Sequence, residues 1–181
     1  MAVTSGTFNL VELTKVEYAD VDLSSATLPT VLKTLLLSEI KEGTFNIDFP
    51  EPSVTVDYTE DGESHNARRS PVTRKASLGL VKALMSTVAD FMEGTFTAGT
   101  AGTTPDSLSC DGTERIANKY VKITGINTEG KNVTVELFNA RVATSWSGNM
   151  GKNQEAVALN VSFYLLKNSG YGKIFKISPA F

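Results

Sequence analysis

The residues best able to do chemistry are few and poorly matched to one another. His65, the one histidine of the chain, stands between the polar neighbours Glu63 and Asn66. An imidazole there could serve as a base or a metal ligand. No second histidine exists, and Cys110, the one cysteine, lies in a distant Ser-Cys-Asp-Gly turn. A zinc site would therefore have to recruit carboxylates from elsewhere, and His65 reads as a solvated loop residue. No Gly-x-Ser-x-Gly elbow is present, since Ser147 follows Trp146 rather than a spaced glycine. Gly99 and Gly102 are followed by Thr103, Thr104 and Pro105, not by a lysine opening a helix, which excludes a phosphate loop. Asp57, Glu60, Asp61 and Glu63 surround Gly62 but miss the twelve-residue calcium pattern and its closing glutamate. No catalytic residue, metal ligand or cofactor is expected. A single cysteine forms no intramolecular disulfide and suits a reducing cytoplasm.

One charge pattern stands out. Residues 42–63 hold seven acids and no base, whereas residues 68–75 hold four bases and no acid. Glu60, Asp61 and Glu63 thus face Arg68, Arg69, Arg74 and Lys75 across a short stretch of chain. Two readings stay open. The stretch is a solvated acidic face followed by a basic turn, or it is a protruding loop of two opposite charges, suited to a head-to-tail contact between subunits.

The elements that would position these residues are mostly strands. With 181 residues, 41% hydrophobic and 20% charged, the chain reads as one soluble globular domain with a core. Its net charge of −3 offers no basic field to hold nucleic acid. The first residues lack a charged stretch followed by an apolar run, so no secretory signal is read. Leu35, Leu36 and Leu37 are too short a run to cross a bilayer, and no membrane segment is expected.

Residues 1–25 read as an N-terminal arm and first strands. Residues 30–40 suit either a buried strand or a short helix. Lys41, Glu42 and Gly43 make a turn, and Phe45, Ile47 and Phe49 alternate in a strand that Pro50 and Pro52 end. Val54, Val56 and Tyr58 alternate next. Residues 59–73 then form a long polar loop, too long for a plain connection. Residues 72–93 fit one helix or, preferably, a strand followed by a short helix. Gly79 weakens the single helix by about 1 kcal/mol; Ser86 would cap the short one and Gly94 end it. Residues 95–111 read as loop or hairpin. Strands are expected over 119–125, 133–140 and 155–166 and near 170–177, with residues 143–153, Trp146 among them, as a loop. The asparagines of the two Asn-x-Ser/Thr sequons, Asn132 and Asn160, read as strand residues. The fold class is mostly β: a β-sandwich or split β-barrel with one flanking α-helix and a long protruding loop.

The order of these segments resembles the tail tube proteins of long-tailed bacteriophages. The likeness is carried by the turn and strand at 41–47, the helical block at 86–96, the strands at 119–125 and 133–142, and the closing strands at 157–166 and 170–177. It covers roughly residues 30–178 and rests on segment order and short blocks. The resemblance implies a structural virion protein rather than an enzyme. Subunits of that family close into six-membered rings that stack head to tail into a tube, the conduit through which the genome enters the host bacterium. It further implies contacts with tape measure, baseplate and terminator proteins, DNA that passes without specific binding, and a place in the virion tail after assembly in the host cytoplasm. The reach toward the neighbouring ring falls on residues 59–73, so Glu60, Asp61, Glu63, Arg68, Arg69, Arg74 and Lys75 are the expected interface residues. Two rival readings remain. One is a tube of a type VI secretion or contractile injection particle. The other is a monomeric adhesin or carbohydrate-binding sandwich with Trp146, Tyr58 and Tyr171 as its aromatic platform.

Overall fold

Alternation of apolar and polar side chains shapes nearly every strand of this protein. A computed structural model describes residues 12–50, 54–58, 64–69, 72–92, 94–110, 117–147 and 158–179. In chain order they form β1 (Glu12–Asp20), β2 (Lys33–Leu35), a 3-10 turn (Leu37–Glu39), β3 (Asn46–Asp48), β4 (Val54–Tyr58), β5 (Ser64–Arg69) and β6 (Lys75–Leu80). Helix α1 (Met85–Met92) follows, then β7 (Thr95–Thr97), β8 (Ser107–Ser109), β9 (Asn118–Ile126), β10 (Asn132–Ser147), β11 (Ala158–Leu165) and β12 (Phe175–Pro179).

Strand β10 organises the rest. Its first half pairs with β9 on one edge and with β12 on the other, over Val133–Leu137. Its second half exchanges β12 for β11, from Ala140 to Ser147. The register with β9 shifts between Leu137 and Ala140, and such an irregularity bends a strand and sharpens its twist. One strand therefore belongs to two layers. The first runs β2-β1-β9-β10-β12 and the second β10-β11-β6-β3, all antiparallel. Val16, Tyr18, Val121, Ile123, Val135 and Leu137 of the first layer meet Leu78, Leu80, Leu159, Val161 and Phe163 of the second in one core. Phe49 beyond β3 stacks on Phe175 of β12 at 4.7 Å, which draws the free margins of the two layers together. The protein is mostly β and sandwich-like, with α1 as the only α-helix among the described residues.

At the bend, Phe138 and Asn139 lose regular ladder partners, and an unpaired buried backbone group is costly. The loop between β11 and β12 supplies what is missing. Phe138 N–H donates to Ile174 O (3.1 Å), and Asn139 O accepts from Leu166 N–H (2.8 Å). Asn168 Nδ2 donates to Phe138 O at 3.2 Å, while Asn139 Nδ2 donates to Lys167 O at 3.3 Å. Asn168 also accepts from Tyr171 N–H at 2.9 Å, which folds the loop so that Tyr171 stacks 4.7 Å from the fully buried Phe138.

Two local expectations change and one holds. Residues 30–40 are neither one strand nor one helix but a three-residue strand and a 3-10 turn. Residues 72–92 are a strand followed by a helix, as preferred; Gly94 N–H closes the helix on Ala89 O at 3.2 Å. A Cβ at Gly94 would lie 2.8 Å from Leu108 Cδ1 and 3.1 Å from the Ser109 carbonyl, so β8 leaves little room for a side chain there. Residues 143–147, expected as loop, continue β10, because β11 pairs with them to Ser147.

Replacing Phe138 by Ala should lower the unfolding free energy by about 3–5 kcal/mol, the scale for emptying an aromatic core site. Asn168→Ala should cost about 1–3 kcal/mol, since it orphans the Phe138 carbonyl. Denaturant unfolding measures both, and a neutral result for either would contradict the role of the bend.

Candidate assembly interface

The second layer has two unlike ends. Cross-strand register places Asp48, Lys75, Tyr164 and Arg141 in one row across its four strands. Chain connectivity sends residues 49–74 out from this end, between β3 and β6. Within that excursion β4 and β5 pair antiparallel, Val54 with Arg69 and Val56 with Ala67, as a separate two-stranded ribbon. Six of the fifteen residues of the expected polar loop are thus strand: β4 offers Ser64–Arg69 a ladder, and polar side chains do not prevent backbone pairing on a ribbon.

The opposite end is apolar. Its row runs Trp146, Leu159, Leu80 and, by a single bridge, Ile40. Leu159 and Leu80 are buried, whereas Trp146 is 57% exposed on the same face. Leu84 and Met85, at the start of α1, and Leu36 and Leu37, at the start of the 3-10 turn, are each roughly half exposed beside it.

One carboxylate holds this end in shape. Glu39 is buried, and its Oε2 accepts from Leu36 N–H (3.3 Å) while its Oε1 accepts from Leu84 N–H (3.1 Å). Its own carbonyl accepts from Val81 N–H at 2.7 Å. Helix N-termini favour negative charge and need acceptors. The expected cap, Ser86, lies inside the helix, and Glu39 acts from another element at its entry. Two apolar pairs distant in sequence, Leu36–Leu37 and Leu84–Met85, are therefore fastened together through the Leu36 and Leu84 backbones. The other end of α1 is tied by Asp90, which accepts from Tyr18 Oη at 3.0 Å and from Lys33 Nζ at 2.8 and 2.6 Å.

The outer face of the first layer carries a second pattern that sequence reading missed. Glu17, Lys122, Glu136 and Lys176 stand side by side on β1, β9, β10 and β12, alternating in charge. Glu136 also accepts from Tyr120 Oη at 2.6 Å. Burial, and then its carboxylate partner, raises each of the phenols of Tyr18 and Tyr120 above the usual tyrosine range.

Of the expected interface residues, Glu60, Asp61 and Glu63 lie outside the described residues. Arg68 and Arg69 are on β5, opposite Thr55 and Val54. Arg74 immediately precedes β6, its carbonyl accepting from Leu165 N–H at 2.9 Å, and Lys75 opens β6 opposite Asp48 and Tyr164. The four bases therefore follow the ribbon back to the sheet. Among the described residues no three His, Cys, Asp or Glu side chains gather at metal-binding distance, and no helix is long and apolar enough to cross a membrane. No known family model and no curated protein matches this chain.

Two outcomes follow. Glu39→Ala should destabilise the fold by about 1–3 kcal/mol, because two part-buried N–H groups lose a charged acceptor; an unchanged denaturant midpoint would contradict the clasp. The raised phenols add stability that is complete below the unfolded tyrosine value near 10 and is lost as pH rises toward the folded one. An ultraviolet titration should show Tyr18 and Tyr120 ionising only as the protein unfolds. Ionisation of all five tyrosines at pH 10 in folded protein would contradict it.

Proposed function

We propose that this chain is a structural subunit that closes into rings and stacks them head to tail, forming the tail tube of a long-tailed bacteriophage. One observation carries the reading. Among the described residues the β4–β5 ribbon pairs only with itself, apart from the main sheet, and an isolated two-stranded ribbon is marginally stable in water. A ribbon retained on a well-packed sandwich is explained by a partner that covers it. The segment order along residues 30–178 supplies the kind of partner, a second copy in a neighbouring ring. In this reading the tube contacts tape measure, baseplate and terminator proteins, and DNA passes through it without specific binding. The subunit works as scaffold rather than as enzyme, in the virion after assembly in the host cytoplasm. A net charge of −3 fits a conduit that does not retain a polyanion.

The aromatic-platform reading is less well supported. Tyr171 stacks on Phe138, eight residues along β10 from Trp146, on the order of 25 Å of strand path. Tyr58 ends β4, on the ribbon rather than on the sheet that carries the other two residues.

Sedimentation velocity and negative-stain microscopy across a concentration series should show a discrete ring and, at high concentration, tubes. A monomer throughout would overturn the proposal. Replacing Arg68 and Arg69 together by Glu should leave the subunit's stability within about 0.5 kcal/mol, the scale for surface substitutions, yet block stacking. Tubes formed as readily as by the native protein would remove these arginines from the interface.

A further inference from the structure

We propose that the outer face of the second layer, at Lys75, Tyr164 and Arg141, is a binding site for an acidic polysaccharide, a chain of sugars that bears carboxylates. The inference goes beyond the assembly reading and does not depend on it.

Pleat and register build the site. Ala76, Val142 and Phe163 enter the core, and Ile47 packs against it. Their chain neighbours Lys75, Arg141, Tyr164 and Asp48 therefore stand on the opposite side of the same four strands. Tyr164 pairs with Lys75 on one side and with Arg141 on the other. Cross-strand neighbours lie about 5 Å apart, so two cations flank one phenol. Tyr164 is 37% exposed, and Arg141 is exposed too. Among the described residues no carboxylate forms an ion pair with Lys75 or Arg141, although Asp48 stands opposite Lys75. Both charges are available to an anion from outside.

The next row on this face runs Asn46, Ser77, Ser162 and Ala143. All four side chains are small, and three are polar, so they form a shallow shelf beside Tyr164. The shelf ends where Thr44 closes over Gly79, its hydroxyl accepting from Gly79 N–H at 2.9 Å. Two rows across four strands span about 7 Å by 14 Å, room for an extended chain of a few sugar rings.

Each part of the face matches a part of such a ligand. The phenol of Tyr164 offers apolar surface to the C–H face of a sugar and a hydroxyl at its tip. Ser77, Ser162 and Asn46 can donate to and accept from sugar hydroxyls. The Arg141 guanidinium meets a carboxylate with two parallel N–H groups, and Lys75 supplies a second positive charge across the ring. Nucleic acid fits less well. Single strands are held by a run of cations that tracks the backbone, whereas this row ends at Asp48 and the shelf carries no cation. A protein partner also fits less well, because interface centres are built from clustered aromatic and apolar anchors, and Tyr164 is the one aromatic of the two rows.

The test titrates the dilute full chain with polygalacturonate oligomers and follows amide chemical shifts. Binding should saturate, weaken with added salt, and move the amides of Lys75, Tyr164, Arg141 and Ser162 most. Arg141→Gln and Tyr164→Ala should each weaken it about tenfold, the scale of one charge-assisted hydrogen bond or one stacked ring, while Tyr164→Phe should retain it. These side chains lie on the surface, so unfolding midpoints should stay close to native, and the shift map on native protein needs no variant. A neutral glucan oligomer of equal length should bind far more weakly. No saturable binding, shifts centred elsewhere, or equal affinity for the neutral chain would overturn the inference. Tighter binding of polyglutamate or of a single-stranded oligonucleotide would overturn it as well, because the face would then read charge without reading sugar.

Discussion

Everything in this structure depends on one strand changing partners halfway along. The sixteen residues of β10 lie in both layers, and the exchange of β12 for β11 at Phe138 and Asn139 lets one continuous ladder enclose a core. A bend of this kind exposes backbone polar groups in a dry place. The 166–174 loop answers that cost with two backbone bonds, with the Asn168 side chain, with the Lys167 carbonyl that accepts from Asn139, and with Tyr171 as an aromatic cover. Because the layers are joined covalently through β10, the positions of their ends are coupled. The ribbon end and the apolar end of the second layer are held at a constant separation by β6, β11 and the latter half of β10.

Rigidity of the ends has consequences for assembly. Surface leucines on separate loops would ordinarily move independently and lose conformational entropy on contact. Here Glu39 fastens them to the helix entry, and the Lys33–Asp90–Tyr18 group fastens the far end of the helix to β1 and β2. The ion pair itself adds little, since Lys33 is well exposed and such pairs are worth roughly 0–1 kcal/mol. Its value lies in geometry, because Tyr18 and Phe91 stack at 4.7 Å and carry the helix onto the core.

Much of the architecture was legible in the alternation of residues. Strands at 118–126 and 158–165, the turn at Gly43, the division of 72–92 into strand and helix and the β7–β8 hairpin all follow from local pattern. What stayed hidden was set by distant partners. Trp146 sits among glycines and serines that read as loop, and only pairing with Leu159 makes it strand. Ser64–Arg69 has no apolar alternation, so β4 alone decides its state. The role of Glu39 at the helix entry could not be read either, because a cap supplied from 45 residues away leaves no local signature. The charge contrast between residues 42–63 and 68–75 did mark the ribbon, though as a loop rather than a ladder.

The central claim, that the ribbon is completed by a second copy, is tested most directly by amide hydrogen exchange on dilute and concentrated protein. In the dilute subunit the amides of Val54–Tyr58 and Ser64–Arg69 should exchange far faster than those of β9 and β10, whose ladders enclose the core. On assembly the ribbon amides should become protected while β9 and β10 change little. Equal protection of the ribbon in dilute and concentrated samples would contradict the account.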